Sequence, residues 1–310
     1  MAVHVLPAMT QTPLSSIDLK DGRFALSYGR DNANLLSSID AAGIIEPVTL
    51  LDRKPYIPVA GLRRLDCARA LRIRSVPAVI VDIDEQEALL KAIHANIERG
   101  YNIIEKANAL YKMNRSGFSQ KDILSSMRYL DLDPHEKVLK IFIALAGLEN
   151  MYKDFILKNT VSLRNIGSFM QFDISERRKI VRSLAGFHLT ESTLREIFEM
   201  LHILRIRKGK LTAVDIPIMP NADSLRAHLK ERTHPVLTSL TRKLKAIRDK
   251  MALPPGIDIK VDPFFEKEYI DLVLRIKDVE DVRTALAKIS GFADAGYLRS
   301  ILELTKGTIR

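Results

Sequence analysis

Hydrophobic and polar positions along the chain follow two different patterns before and after Gly100. Before Gly100, short apolar runs bounded by turn residues alternate with segments of helical spacing, which predicts a mixture of strands and helices. The predicted strands are 47–52, 55–60 and 76–81, and the predicted helices are 32–43, 63–71 and 85–97. The first helix is expected to stop at Gly43, because glycine readily takes the left-handed conformation that ends a helix.

After Gly100 the apolar spacing is helical as far as about residue 206. Helices are predicted at 102–114 and 134–148, and Ser119 provides an N-cap signal for another helix between them. Further short helices are predicted from 149 to about 206. This part of the chain is therefore expected to contain no strands.

The C-terminal part begins with a weakly periodic segment that contains prolines and a glycine, which is typical of a linker. A long charged helix at 224–251 follows and is expected to be interrupted near Pro235, since proline lacks the N–H that a helix interior needs. Partly alternating runs predict strands at 257–261 and 269–276, and helical spacing predicts a helix at 279–289.

Together these patterns predict the α+β class and a division into successive parts. The predicted parts are a mobile arm at 1–12, a mixed α/β domain at 13–100, an all-helical domain at 101–206, a linker at 207–223, and a helix with a small α+β module at 224–310. The length of 310 residues agrees with two or three domains.

The charge balance of the chain indicates which class of partner it binds. A formal net charge of +10 favours an anionic partner, most simply nucleic acid. Aromatic residues make up only 6% of the chain and tryptophan is absent, which favours contacts with a duplex backbone over base stacking on single strands. The single cysteine, Cys67, excludes an internal disulfide framework and is typical of a reducing compartment.

Membrane insertion and several common catalytic classes find no support in the sequence. The longest uninterrupted apolar run, 141–146, is far too short to cross a bilayer, and the first residues lack the basic region of a signal peptide. Walker A, Rossmann, zinc-ligand and HExxH spacings do not occur. We therefore expect a cytoplasmic protein without these catalytic motifs.

The strongest candidate chemistry is the stretch Gly61-Leu-Arg-Arg64, between a predicted strand and a predicted helix. Glycine allows the backbone to approach a ligand closely. The free N–H groups at the start of the helix, together with Arg63 and Arg64, can hold phosphate oxygens. A buried strand–turn–helix whose arginines only reach solvent fits the same residues, so both interpretations stay open at this point.

Six short motifs in order give this stretch a family context. They are Gly43-Ile-Ile-Glu-Pro-Val48, Gly61-Leu-Arg-Arg64, Val76-Pro-Ala-Val-Ile-Val81, Ala95-Asn-Ile-Glu-Arg99, Ile103-Ile-Glu-Lys-Ala107 and Gly117-Phe-Ser-Gln-Lys-Asp-Ile123. In this order they resemble the ParB partition proteins, over roughly residues 13–200. The resemblance implies a ParB/sulfiredoxin-like N-terminal domain and a helix-turn-helix DNA-binding domain.

The resemblance also implies ligands and partners. A nucleotide pocket would contain Gly61, Arg63, Arg64, Asn96 and Arg99, with CTP and Mg²⁺ as cofactors and the Asn96 carbonyl oxygen near the metal. In the family, nucleotide binding closes a clamp of two N-terminal domains around DNA, and hydrolysis helps to release it. The implied partners are double-stranded DNA, a second copy in a homodimer joined through the C-terminal module, and a ParA-like ATPase. The implied location is the nucleoid.

Two positions depart from the family pattern where carboxylates are expected. Leu62 replaces the glutamate after the first motif glycine, and Ala95 replaces the glutamate before Asn96. Alanine can neither ligate Mg²⁺ nor position a water molecule. We therefore expect impaired hydrolysis, at most a weak CTPase, and no catalytic residue.

The predicted DNA-binding helices also depart from the pattern, because a long segment at 128–137 stands in place of a tight turn. The apolar run at 141–146 supplies few groups that read base edges. The predicted DNA contacts are therefore mainly to phosphates; they are Ser119, Gln120, Lys121, Arg128, Lys137 and Lys140. A solvated helix face is the open alternative for each of the basic residues.

Two other residues are interpreted as structural. His94 has no accompanying carboxylate motif or nucleophile, and Cys67 lies on the helix after the arginines, where a small core residue fits.

Three functions stay open. The first is a ParB-like protein in partition or gene regulation. The second is an enzyme of the same superfamily, a phosphotransferase or nuclease acting at the same cleft. The third is an interaction module without nucleotide or defined operator.

Overall fold

The computed structural model of the protein describes residues 8–306. The chain forms two compact units, of which the first runs to Val181 and includes His188–Ser192, and the second contains Arg182–Phe187 and the chain from Thr193 onwards. Helices and strands are mixed in the first hundred residues and again near the C-terminus, with helices alone between them. The predicted α+β class is confirmed.

The first part of unit one contains a four-stranded sheet. Its elements are β1 (Met9–Pro13), a 3₁₀ turn (Leu14–Ser16), α1 (Ala33–Ala42), β2 (Val48–Leu51), β3 (Ile57–Ala60), α2 (Leu62–Ala70), β4 (Ser75–Val81) and α3 (Glu85–His94). The strand order is β1-β4-β2-β3. The central pair β2 and β4 is parallel, whereas the outer strands pair antiparallel to their neighbours.

A compact apolar core holds α2 against this sheet. Val48 and Leu50 of β2 point into it together with Leu65 and Ala68 of α2, and all four are at most 2% exposed. Burial of each of the larger side chains, valine and leucine, stabilises the fold by about 1.5–3 kcal/mol. This packing fixes the start of α2 at the end of β3.

The rest of unit one is helical. Its elements are α4 (Ile103–Arg115), α5 (Gln120–Ser126), a 3₁₀ helix (Met127–Leu130), α6 (Glu136–Ala146), α7 (Asn150–Lys158), α8 (Leu163–Met170), α9 (Ile174–Leu184) and α10 (Glu191–Lys208), the last two of which extend into unit two. Helix α4 packs against α5, α6 and α7, and α6 also packs against α8. Ser119 caps α5 through a hydrogen bond from the Asp122 N–H, as predicted.

Unit two contains the C-terminal elements. They are α11 (Ala222–Thr233), α12 (Pro235–Met251), β5 (Ile257–Val261), β6 (Ile270–Leu274), α13 (Val279–Asp294) and α14 (Tyr297–Thr305). Pro235 begins α12, which confirms the predicted interruption of the long helix. Strands β5 and β6 form an antiparallel pair, and Ile259, Ile301 and Leu304 are among the buried residues of its core.

Three predictions about elements need correction. Residues 9–12 do not belong to a mobile arm, because Met9–Pro13 forms β1 on the open edge of β4; residues 1–7 lie outside the described part of the chain. The helix predicted at 85–97 ends at His94, and α13 extends beyond residue 289 and is followed by the unpredicted α14. Residues 9–13 form a strand because they pair with the edge of β4, since their own sequence has little of the apolar alternation typical of a strand.

The predicted domain boundaries and the linker at 207–223 stay predictions. Within that segment Leu211, Asp215 and Ile216 are buried. The Asp215 carboxylate pairs with Lys208 at 2.6 Å and with Arg232 at 2.8 Å. Among residues 8–306, no helix has both the length and the apolar character needed to cross a membrane.

Candidate functional site: a pocket at the start of helix α2

The start of α2 is a helix N-terminus without a side-chain cap. Gly61 is its N-cap, with φ 88° and ψ 18°, and no side chain caps the helix there. A Cβ at Gly61 would lie 2.8 Å from Val48 Cγ1, so both the backbone angle and the space require glycine. The first N–H groups of α2 therefore lack a side-chain acceptor, and a helix N-terminus of this kind favours negative charge.

A pocket of about 410 Å³ opens at this helix start. Its walls are the segment 24–27, the first residues of α2, and the turn after α3. The five residues predicted for the nucleotide pocket all line it; they are Gly61, Arg63, Arg64, Asn96 and Arg99. The two motifs are thus brought together, although residues 65–94 separate them in the sequence.

The two arginines of α2 are held by hydrogen bonds within the protein. Arg63 Nε donates to Asn32 Oδ1 at 2.7 Å, and its Nη2 donates to the Asp31 carbonyl at 2.5 Å. Arg64 Nη1 donates to the Glu46 carbonyl at 2.5 Å and to its carboxylate at 3.1 Å. Burial lowers the pKa of Arg64, and the nearby Glu46 carboxylate opposes that effect.

Arg99 approaches the pocket from the turn after α3. Its Nε donates to Asn96 Oδ1 at 3.2 Å, and its Nη1 donates to Glu105 Oε1 at 3.1 Å. The remaining nitrogen, Nη2, is buried and has no partner among the described residues. A buried donor without an acceptor is costly, so an oxygen of a bound ligand or water would stabilise this arrangement.

Glu105 in the first turn of α4 holds Arg99 from outside the pocket lining, and sequence analysis did not single it out as a site residue. Its side chain is fully buried, and Arg30 contacts both of its oxygens, at 2.8 Å from Nε and 2.6 Å from Nη2. Burial favours the protonated acid, but hydrogen bonds from Arg30, from the Asn102 N–H and from Arg99 outweigh it and lower the pKa of Glu105. The carboxylate therefore stays ionised between two guanidinium groups.

The residues around Asn96 do not fit Mg²⁺ as arranged here. The Asn96 Nδ2 donates to the Ala92 carbonyl at 2.9 Å, and its Oδ1 accepts from Arg99. The predicted metal-binding oxygen thus faces a cation. No cluster of three or more His, Cys, Asp or Glu side chains suited to a metal occurs within residues 8–306.

Comparison with known proteins identifies the domain that carries this pocket. Residues 29–97 match the ParB N-terminal domain family. The chain carries a ParB N-terminal domain. The matched range contains Arg63, Arg64 and Asn96 and ends just before Arg99.

Curated relatives of the ParB type extend the likeness beyond this domain. A probable chromosome-partitioning protein ParB from Coxiella burnetii is 30% identical over 168 residues, covering 46% of this chain and 58% of the relative. A nucleoid occlusion protein from Listeria monocytogenes is 23% identical over 184 residues, covering 57% of this chain and 63% of the relative. The chain thus spans about 58–63% of the length of these relatives.

Solved ParB structures from Caulobacter crescentus also align with the chain. The form complexed with CTP-gamma-S is 19% identical with a TM-score of 0.28, over 62% of this chain and 92% of the other. The form complexed to the centromeric parS site is 17% identical with a TM-score of 0.34, over 60% of this chain and 99% of the other.

The predicted DNA contacts lie after the ParB N-terminal domain in the chain, on α5, the 3₁₀ helix and α6. Those predicted side chains are all exposed; they are Ser119, Gln120, Lys121, Arg128, Lys137 and Lys140. Gln120 and Lys140 line one groove, and Lys140 lines another with Arg164, which sequence analysis did not single out. Contact with DNA stays a prediction for all of them.

The two residues interpreted as structural lie outside the pocket lining. Cys67 is 1% exposed within α2, and burial raises the pKa of its thiol. His94 ends α3, and its ring meets the Tyr129 ring edge-on at 5.1 Å between centroids. Both arrangements agree with packing roles.

Proposed function

We propose that this chain is a ParB-type protein that binds a nucleotide and duplex DNA and acts in DNA partition, nucleoid occlusion or gene regulation. One observation carries the proposal: the pocket of the ParB N-terminal domain gathers three arginines at an uncapped helix N-terminus. Phosphate groups are the ligands that such a combination binds best.

The proposed ligand is a nucleoside triphosphate, and CTP is the one that the ParB resemblance implies. Arg63, Arg64 and Arg99 line the same pocket and supply positive charge around it. A polyphosphate would compete with internal acceptors, namely the Asp31 carbonyl for Arg63 and Glu46 for Arg64. The buried Arg99 Nη2 already lacks an acceptor, which supports an anionic ligand.

We further propose that the bound nucleotide is hydrolysed poorly. Leu62 and Ala95 both line the pocket, where the family resemblance leads to glutamates. The Asn96 oxygen is engaged by Arg99, so the described residues offer no ready cation ligand at that position. Without a carboxylate at either of these two positions to hold a metal or orient water, the pocket is better suited to binding than to turnover.

The proposed DNA-binding part is the helical region that follows. Exposed basic residues on α5, the 3₁₀ helix and α6 can contact duplex phosphates, in agreement with the net charge of +10. We propose that the module at 224–310 joins two copies into a homodimer and that a ParA-like ATPase is a partner at the nucleoid. The family resemblance supports both proposals.

Calorimetry with an arginine-pair variant tests the proposed pocket. CTP, ATP, GTP and UTP would be titrated with and without Mg²⁺ into the wild type and into Arg63→Ala/Arg64→Ala. We expect CTP binding in the wild type and its loss in the double variant, because both cations next to the helix start are gone. Unchanged CTP affinity in the double variant would refute the assignment.

A matched control separates loss of charge from loss of the helix. Arg69 lies on α2 and is mostly exposed, outside the pocket lining. Arg69→Ala removes one positive charge from the same helix and should retain CTP binding. Circular dichroism of each variant would establish that α2 and the sheet remain folded.

A further inference from the structure

A stripe of four polar residues along α4 makes hydrogen bonds to the chain segment that forms a wall of the pocket. Asn102, Glu105, Asn108 and Lys112 follow each other at intervals of three, three and four residues, which places them along one helix face. Each of them makes a hydrogen bond to residues 22–30, here called the wall segment.

These contacts follow the backbone of the wall segment. Lys112 Nζ donates to the Gly22 and Arg23 carbonyls, both at 2.9 Å. Asn108 Nδ2 donates to the Leu26 carbonyl at 3.2 Å, and Asn102 Nδ2 donates to the Tyr28 carbonyl at 2.9 Å. Residues 24–27 of the same segment line the pocket. The position of the wall therefore depends on α4.

Glu105 is the central member of this stripe. Its Oε1 accepts hydrogen bonds from the Tyr28 N–H at 3.3 Å, from Arg30 Nε at 2.8 Å and from Arg99 Nη1 at 3.1 Å. Its Oε2 accepts from Arg30 Nη2 at 2.6 Å and from the Asn102 N–H at 3.0 Å. One buried carboxylate thus joins the wall segment, the turn that carries Arg99, and α4.

Capping of α4 alone does not account for this arrangement. The Asn102 side chain already accepts hydrogen bonds from the Ile104 and Glu105 N–H groups, and Glu105 returns one bond to the Asn102 N–H. That return bond is one of five that Glu105 accepts. The other four come from the wall segment and Arg99, and an exposed glutamate would serve as a cap equally well.

We propose that Glu105 is a positioning residue of the pocket, which fixes Arg99 and the wall segment in the geometry that receives an anionic ligand. The part concerning the ligand rests on the proposed function. Glu105 acts through Arg99 and the wall, since it lies outside the pocket lining itself. It also lies beyond the range matched by the ParB N-terminal domain family.

The first test needs no nucleotide. Glu105→Gln keeps the size of the side chain and an oxygen that can cap α4, but removes the charge that holds two guanidinium groups. Amide hydrogen exchange of the full-length variant should be about tenfold faster in residues 22–30, including the Tyr28 N–H, while β2 and β4 are unaffected. Unchanged exchange in residues 22–30 would overturn the proposal.

The second test asks whether Glu105 acts through Arg99. CTP affinity would be measured for Glu105→Gln, Arg99→Met and the double variant. We expect each single change to weaken binding about tenfold and the double variant to lose less than the product of the two losses. Losses that multiply would indicate a purely structural effect of Glu105 and would contradict its action through Arg99.

Controls keep this proposal distinct from the proposed function. Glu196→Gln neutralises a glutamate that pairs with Arg226 in unit two and should change neither exchange in residues 22–30 nor CTP affinity. If the wild type binds none of the four triphosphates, the proposed function fails. The exchange measurement then still decides whether Glu105 positions the wall.

Discussion

Arg99 Nη1 donates a hydrogen bond to Glu105 Oε1 at 3.1 Å, which pairs a residue of the pocket with a fully buried carboxylate at the start of α4. Arg30 binds the same carboxylate through two nitrogens. The pocket is therefore connected by charge to the helix that also packs against α5 and α6. This pairing explains why the turn after α3 has a defined position.

Loss of the buried carboxylate should destabilise unit one. Glu105→Ala leaves two guanidinium groups without their shared counter-charge, and breaking a buried ion pair in this way costs about 3–5 kcal/mol. Urea unfolding followed by circular dichroism would measure the change. The exposed pair of Glu149 and Arg178 provides the control, since Glu149→Ala should cost less than about 1 kcal/mol. Equal effects of both substitutions would contradict the role of burial.

Acid should remove the contribution of Glu105. Its pKa is lower in the folded chain than in the unfolded chain, so the unfolded state takes up a proton first as pH falls. The stabilisation is thus fully present above the ordinary glutamate pKa and is lost as pH falls through the folded value. Unfolding free energies between about pH 7 and 3 should fall more steeply for the wild type than for Glu105→Gln. Parallel curves would refute this assignment.

Restoring the missing carboxylates should increase nucleotide turnover. Leu62→Glu/Ala95→Glu places two carboxylates in the lining of the pocket, where they could bind Mg²⁺ and orient water. We expect CTP hydrolysis, measured as phosphate release, to rise at least about tenfold. The matched variant Leu62→Gln/Ala95→Gln adds side chains of the same size without charge and should stay at the wild-type rate. A rise in both variants would show that charge is not the missing element.

The basic residues of α6 should bind phosphates rather than read bases. Lys137→Ala/Lys140→Ala should weaken binding to duplexes of different sequence by similar factors. The slope of log K against the logarithm of the salt concentration should become about two units less steep, because two phosphate contacts are lost. Fluorescence anisotropy over a series of salt concentrations measures both quantities. Lys20→Ala/Lys91→Ala removes two exposed lysines at sites away from α6 and serves as the control. Loss of binding to one sequence only would instead indicate base recognition.

The local parts of the site could be predicted from the sequence. Gly61 with Arg63 and Arg64 forms a short strand–glycine–helix pattern, and Asn96 and Arg99 belong to another short motif. Each pattern depends on neighbouring residues, and the resemblance supplied the expectation that they share one pocket. The structure brings all five to the same cavity, whereas their binding of nucleotide stays a prediction.

The long-range parts could not be predicted in this way. Glu105 in the sequence looks like an ordinary capping-box residue three positions after Asn102, and that role is present. Its contact with Arg30 spans 75 residues, and no local pattern encodes such a pairing. Strand β1 is similar, because Met9–Pro13 becomes a strand only when the edge of β4 is available. Tertiary contacts decide both features.

Calorimetric titration of CTP into the wild-type chain tests the central claim most directly. The account predicts saturable binding with one nucleotide per chain, because the three arginines and the α2 N-terminus border a single pocket. It predicts tighter binding of CTP than of ATP, GTP or UTP, as the ParB resemblance implies. Absence of saturable binding by all four triphosphates, with the chain shown to be folded, would contradict it.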